Sequence, residues 1–165
     1  MLPSQRTLRC YRKHVRPKQG FNPQIVADLT KRTEKFSPSE RFVSVVIDEM
    51  KVQEDLVWDR SRGKLTGFLD LGDSAINDST LSDETKLATH VMVFLVKSIK
   101  NPLSYSFATF APDTASAAQI HSLFWNCVSL LEISCNLKVI ATIADGASTN
   151  RRFVKMNKVS LKFLI

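Results

Sequence analysis

Residues 41–50, RFVSVVIDEM, constrain the fold of this chain more than any other stretch. Phe42, Val43, Val45, Val46 and Ile47 form a nearly unbroken run of β-branched and aromatic side chains, which predicts a strand buried on both faces in the middle of a sheet. The run ends on two acids, Asp48 and Glu49. A central strand that delivers a carboxylate at its C-terminal end is a common foundation for a site in an α/β protein. Residues 137–145, LKVIATIAD, repeat the design: an apolar run, then an acid, then the turn Gly146-Ala147-Ser148.

Around these two stretches the chain reads as one domain with a short basic appendage. Residues 3–18 have helical spacing, with Leu8, Tyr11 and Val15 on one face and Arg9, Arg12, Lys13 and Arg16 on the rest. Pro17 and Gly20 end that helix. Asn22-Pro23 opens a second one carrying Ile25, Val26 and Leu29. Ser37-Pro38-Ser39 then divides a basic helical segment, 1–38, from the remainder, 39–165. Of the net charge of +7, the first forty residues carry most: nine lysines and arginines stand against three acids up to Glu40, and fourteen against thirteen beyond it. Such asymmetry fits a polyanion contact, and it equally fits a solvated helix face. No apolar run approaches a membrane span, and no apolar signal segment opens the chain. The three cysteines, Cys10, Cys127 and Cys135, lack the spacing of a zinc module or a disulfide framework; Cys127 and Cys135 read as small core residues.

Past residue 50, the segments 56–58 and 65–69 flank Ser61-Arg62-Gly63 and predict a hairpin with Gly63 in the left-handed region. Residues 70–84 read as an exposed loop. A strand over 90–99 and an antiparallel return strand over 103–110 follow. Thr114 is the expected cap of a long helix whose stripe is Ile120, Leu123, Phe124, Cys127, Leu130 and Leu131, with Asn136 as its stop. The strand at 137–144 comes next, and a last helix begins near Ser148 or Thr149. This order of strand, hairpin, strand, strand, helix, strand, helix is that of a ribonuclease-H-like α/β fold with a mixed sheet.

In that topology a right-handed crossover lays the 137–144 strand beside and parallel to the 41–50 strand. Asp48 and Asp145 then meet at neighbouring C-terminal ends. Two carboxylates there repel unless a cation joins them, and Mg²⁺ or Mn²⁺ prefers such oxygen ligands. A pair of such ions roughly 3.5–4 Å apart can act on a phosphodiester. The alternative is an ordinary turn, since Asp-Gly is a stock turn dipeptide. A doubly wound nucleotide-binding fold would require a Gly-rich loop after the first strand, which is absent.

The blocks IDEMKVQEDLVWDRSRGKLTGFLDLGD, HVMVFLVKSI and ADGASTNRRFVKM, preceded by LPSQRTLRCYRKHV and Gly20-Phe21, resemble the P element family of DNA transposases and its THAP-domain relatives. The resemblance covers about residues 2–156. It implies a cut-and-paste transposase domain, located in the nucleus and acting on DNA by metal-dependent hydrolysis and strand transfer. By motif, Asp48 and Asp145 carry over as the first two acids of a triad that binds Mg²⁺ or Mn²⁺. The third acid and a GTP-binding insertion are expected downstream of this sequence, so GTP is implied only if such a domain follows. The chain alone is then expected to be inactive, either as a fragment or as a non-catalytic DNA-binding or oligomerising remnant. Self-association, or the missing C-terminal part, would cover its open sheet face. Arg9, Arg12, Lys13 and Arg16 are candidate phosphate contacts. Asn150 and Arg151 either touch phosphate or cap the last helix and face water.

Overall fold

The computed structural model describes residues 19–60, 63–72, 77–78 and 86–160. Its centre is β2 (Phe42–Lys51), where Val43, Val45 and Ile47 alternate onto one face and are almost wholly buried. On the other face Ser44 is buried, Val46 half-buried, and Phe42 and Asp48 exposed. The expectation of burial on both faces therefore holds for one face only.

Antiparallel to β2 runs β5 (His90–Ser98), and β6 (Ser104–Phe110) returns beside β5. A two-residue strand, β1 (Gly20–Phe21), adds to the far side of β6. On the other side of β2 lies β7 (Lys138–Ala144), parallel to it. The sheet order is thus β1-β6-β5-β2-β7. The predicted hairpin forms separately as β3 (Val57–Asp59) and β4 (Lys64–Thr66), with Gly63 at φ 64°.

Two helices share the buried face of the sheet. α2 (Ala117–Ile133) buries Ile120, Leu123, Phe124, Cys127, Val128 and Leu131 against Val43, Val45, Ile47 and Phe94. Its cap is Ser116, not Thr114: the Ser116 hydroxyl accepts from Gln119 N–H at 3.2 Å, and Gln119 Oε1 accepts from Ser116 N–H at 2.9 Å. A reciprocal box satisfies two end donors that Thr114, two residues further out, cannot reach. The helix stops where Asn136 takes φ 51° and Leu137 N–H bonds back to the Leu131 carbonyl. α1 (Pro23–Thr33) starts at Asn22 as expected, with the Asn22 side chain accepting from Gln24 N–H at 2.9 Å.

α1 and β1 change the reading of the first 38 residues. Ile25 and Leu29 belong to the same core as the sheet, and Phe21 lies edge-on to Phe110 at 5.3 Å. The described part of the 1–38 segment is built into the sheet domain, because β1 needs β6 for its hydrogen bonds and α1 needs the sheet to cover its apolar stripe. The helix expected over 3–18, with Arg9, Arg12, Lys13 and Arg16, lies outside the described residues. The predicted loop over 70–84 also begins inside the fold. Leu71 is fully buried, and Asp70 exchanges backbone hydrogen bonds with Ala111.

Two bulges break the simple alternation. Phe94 pairs with Ala108 but Leu95 with Ser106, so Phe107 is the extra residue on β6, and both Phe107 and Ala108 are buried. On β7, Val43 pairs with Val139 and Ser44 with Ala141, so Ile140 is extra. The last helix, α3 (Ser148–Ser160), packs on α2 through Phe153, which is buried and lies 5.2 Å from Phe124. Trp125 Nε1 donates to Asn157 Oδ1 at 3.1 Å and closes the same contact from its solvent side.

Candidate metal centre

The bulge at Ile140 decides which acids stand together. Beyond it the register runs Ser44–Ala141, Val45–Thr142, Val46–Ile143 and Ile47–Ala144. One step further along both chains are Asp48 and Asp145. Had the ladder continued from Val43–Val139 with Ile140 paired to Ser44, Ile47 would pair with Ile143, and Asp145 would come level with Glu49. Neighbouring strands lie about 4.8 Å apart, so groups at the same level are within reach of one shared cation.

Glu49 points to the other side of β2 and has a different occupation. It is half-buried, and its Oε1 accepts from Ala115 N–H at 3.2 Å, just ahead of α2. It therefore holds the start of the crossover helix and does not join the pair. Asp48 is exposed and accepts no hydrogen bond from a described residue. Alternation puts it on the face turned away from α2, beyond Ser44 and Val46.

Asp145 is also exposed, but one of its oxygens is engaged. Oδ1 accepts from Ala147 N–H at 3.0 Å and from Asn150 Nδ2 at 2.5 Å. The Ala147 N–H, and after it the Asn150 amide, hold the Asp145 carboxyl below the usual carboxylate range, since both donors favour the charged form. Asn150 is buried, and its amide is turned onto Asp145. Arg151 is exposed, with its backbone N–H on the Ala147 carbonyl as part of the first turn of α3. The Asn150 contact was not read from the sequence. Its signal is the five-residue spacing from Asp145, which spans the turn and returns the side chain to the acid once the helix begins.

Glu132 is exposed at the C-terminal end of α2, the end that leads into the start of β7 rather than its finish. Among the described residues, no group of three or more His, Cys, Asp or Glu side chains stands together as a metal cluster. Cys127 and Cys135 are buried, and burial pushes both thiols up, which suits the core role expected of them.

With this geometry in view, three comparisons place the chain. The human DNA transposase THAP9 is 31% identical over 114 residues, covering 67% of this chain and 12% of that protein. The Drosophila P element transposase in its strand transfer complex superposes with a TM-score of 0.61 at 16% identity, covering 94% of this chain and 29% of that one. The chain thus spans a minor part of either relative, and at that identity the second match shows the shared fold. The family described as the TNP-like, RNase H N-terminal domain matches residues 17–158, from just before β1 into α3. The chain belongs to this family of transposase-related, ribonuclease-H-like domains.

Proposed function

We propose that this chain supplies the first two metal-binding acids of a DNA transposase that works by metal-dependent phosphodiester hydrolysis and strand transfer. The observation that carries the reading is the bulge-set register bringing Asp48 and Asp145 level at the ends of two parallel strands. The donor set fits the implied ion in kind: two exposed carboxylates offer hard oxygens and leave the remaining positions to water and further ligands, as Mg²⁺ and Mn²⁺ accept. Asp48 and Asp145 would hold the cation. When bound, it supplies positive charge to the phosphodiester and to its attacking and leaving oxygens. The protein's own part is to hold both carboxylates level, and to keep Glu49 out of the pair by tying it to Ala115. DNA is the expected partner and the nucleus the expected location, in line with the transposase relatives. The basic arm with Arg9, Arg12, Lys13 and Arg16 is the expected backbone contact, joined by Arg151 on α3.

The test is Mn²⁺ binding by residues 1–165, followed through the electron paramagnetic resonance of the free ion. Binding should be weak, and Asp48→Asn and Asp145→Asn should each lower affinity about tenfold or more. Equal affinity in all three proteins would sink the shared site. A second reading, a non-catalytic DNA-binding remnant, is favoured by the absence of a third ligand beside the pair among the described residues. Nicking of plasmid DNA with Mn²⁺ that disappears in Asp48→Ala would exclude it.

A further inference from the structure

Within the proposed metal site, and resting on that reading, we infer that Asn150 is a positioning residue whose amide commits Asp145 Oδ1 and leaves Oδ2 for the cation. The argument begins with lone pairs. A carboxylate has about four acceptor sites, two on each oxygen. Asp145 Oδ1 already accepts from Ala147 N–H at 3.0 Å and from Asn150 Nδ2 at 2.5 Å, so its two sites are filled. Oδ2 has no donor among the described residues.

The donor's chemical type matters as much as its position. A lysine or arginine at residue 150 would form an ion pair with Asp145 and compete with the cation for its charge. The neutral asparagine amide fixes the orientation and leaves the negative charge in place. Ala147 N–H alone would not suffice, because one bond permits the carboxylate to turn about it; the second donor arrives from another direction.

The structure holds Asn150 firmly enough for this task. It is buried in the first turn of α3. One turn later Phe153 is buried against Phe124, and Asn157 is tied to Trp125. The crossover helix α2 therefore fixes α3, α3 fixes Asn150, and Asn150 fixes the carboxylate. Partners that orient a metal ligand in this way are commonly worth tenfold to a hundredfold in metal affinity.

The experiment is a double-mutant cycle on residues 1–165 with Mn²⁺ as the probe, comparing wild type, Asn150→Ala, Asp145→Asn and the double variant, each with a thermal unfolding curve recorded without metal. Asn150→Ala should weaken Mn²⁺ binding about tenfold. In the Asp145→Asn background the same change should have no further effect on affinity, because the group it orients is no longer a ligand. Asn150→Leu, close in volume and suited to a buried position, should reproduce the loss and serves where the alanine variant unfolds. Wild-type affinity in Asn150→Leu or Asn150→Ala, with binding lost in Asp145→Asn, would overturn the role of Asn150 and leave the metal site standing. Losses that multiply in the double variant would also overturn it, as a general disturbance of the fold. No Mn²⁺ binding by the wild type would remove the site and this inference together.

Discussion

The two edges of the sheet are built in opposite ways. At β1 the edge is two residues long, and its side chain Phe21 reaches inward to Phe94, Phe107 and Phe110. Gly20 meets Gly72 there so closely that a Cβ on Gly72 would sit 2.1 Å from Gly20 Cα. At β7, the outermost strand on the other side among the described residues, six of the seven residues pair with β2, and Ile140 and Ile143 are 58% and 52% exposed. A short, covered edge resists unwanted pairing, whereas a long apolar one invites a partner. The closed edge carries stability, and the open edge carries Asp145 and the candidate chemistry. An asymmetry of this kind is what the proposed role in a larger transposase needs, since a metal centre must leave room for DNA and for further ligands.

The sharpest way to break this comparison is to truncate one side chain at each edge. Phe21→Ala removes three aromatic contacts and leaves a cavity, and should cost about 3 kcal/mol. Ile143→Ala on the open edge should change stability by no more than about 0.5 kcal/mol, as exposed substitutions usually do. Urea unfolding midpoints measure both. Comparable losses would mean that the outer face of β7 is covered in solution, and size-exclusion at rising concentration would then reveal the self-association that covers it. A smaller effect at the closed edge comes from Gly72→Ala. Gly72 sits at φ 74°, and the added methyl would have to displace the β1 backbone, so a loss of about 2 kcal/mol is expected. A loss within error would show that β1 is not held by that contact.

The open edge has its own test in the bulge. Deleting Ile140 removes the extra residue and lets the β2–β7 ladder run without a break. Val139 still pairs with Val43 and Ala141 with Ser44, so Asp145 stays level with Asp48. Mn²⁺ affinity should therefore stay within about twofold of wild type, a change of about 0.4 kcal/mol at most. Circular dichroism should confirm that the sheet persists. A tenfold loss in a folded deletion variant, equivalent to about 1.4 kcal/mol, would mean that the shape of the bulge, and not the register beyond it, sets the site.

The bulge also marks where the sequence stops being legible. Apolar runs ending in acids, an ordered succession of strands and one long amphipathic helix were enough to place β2, β5, β6, α2 and β7 and to pair Asp48 with Asp145. Local rules read what a residue and its near neighbours prefer, and those elements obey them. Ile140 is as good a strand residue as any beside it, so nothing local distinguishes the one without a partner on β2. The two strands likewise look alike in sequence, although β2 is central and β7 marginal; position in a sheet depends on which segments pair, not on their composition. Glu49 and Asn150 are further cases. Glu49, the second acid of its strand end, binds the backbone ahead of α2. Asn150, read as a phosphate contact or as a cap that faces water, is buried with its amide on Asp145. Both contacts appear only when a helix end is brought to a strand end.

The smallest expected effect tests how the closed edge responds to acid. Tyr105 on β6 donates its hydroxyl to Asp28 Oδ2 at 2.7 Å, and Arg32 Nε reaches the same oxygen at 2.8 Å while its guanidinium lies over the Tyr105 ring. The Tyr105 hydroxyl first, and Arg32 after it, hold the Asp28 carboxyl below its ordinary range. A carboxyl whose pKa is lower folded than unfolded stabilises the fold at any pH above the unfolded value, near 3.9, and loses that contribution as pH falls through the folded value. The Asp28 side chain is 34% exposed and its partner Arg32 more so, so solvent screening keeps the contribution small. Tyr105→Phe removes the larger of the two donors and keeps the ring that packs beside Arg32. Its effect on stability should therefore be slight near neutral pH and vanish in acid, where wild-type Asp28 is itself protonated. Thermal midpoints of the two proteins should converge as pH is lowered through the depressed Asp28 value. A Tyr105→Phe difference that stays constant from neutral to acid pH would show that the hydroxyl acts through packing alone, and that the closed edge is sealed by its aromatic and glycine contacts without help from this acid.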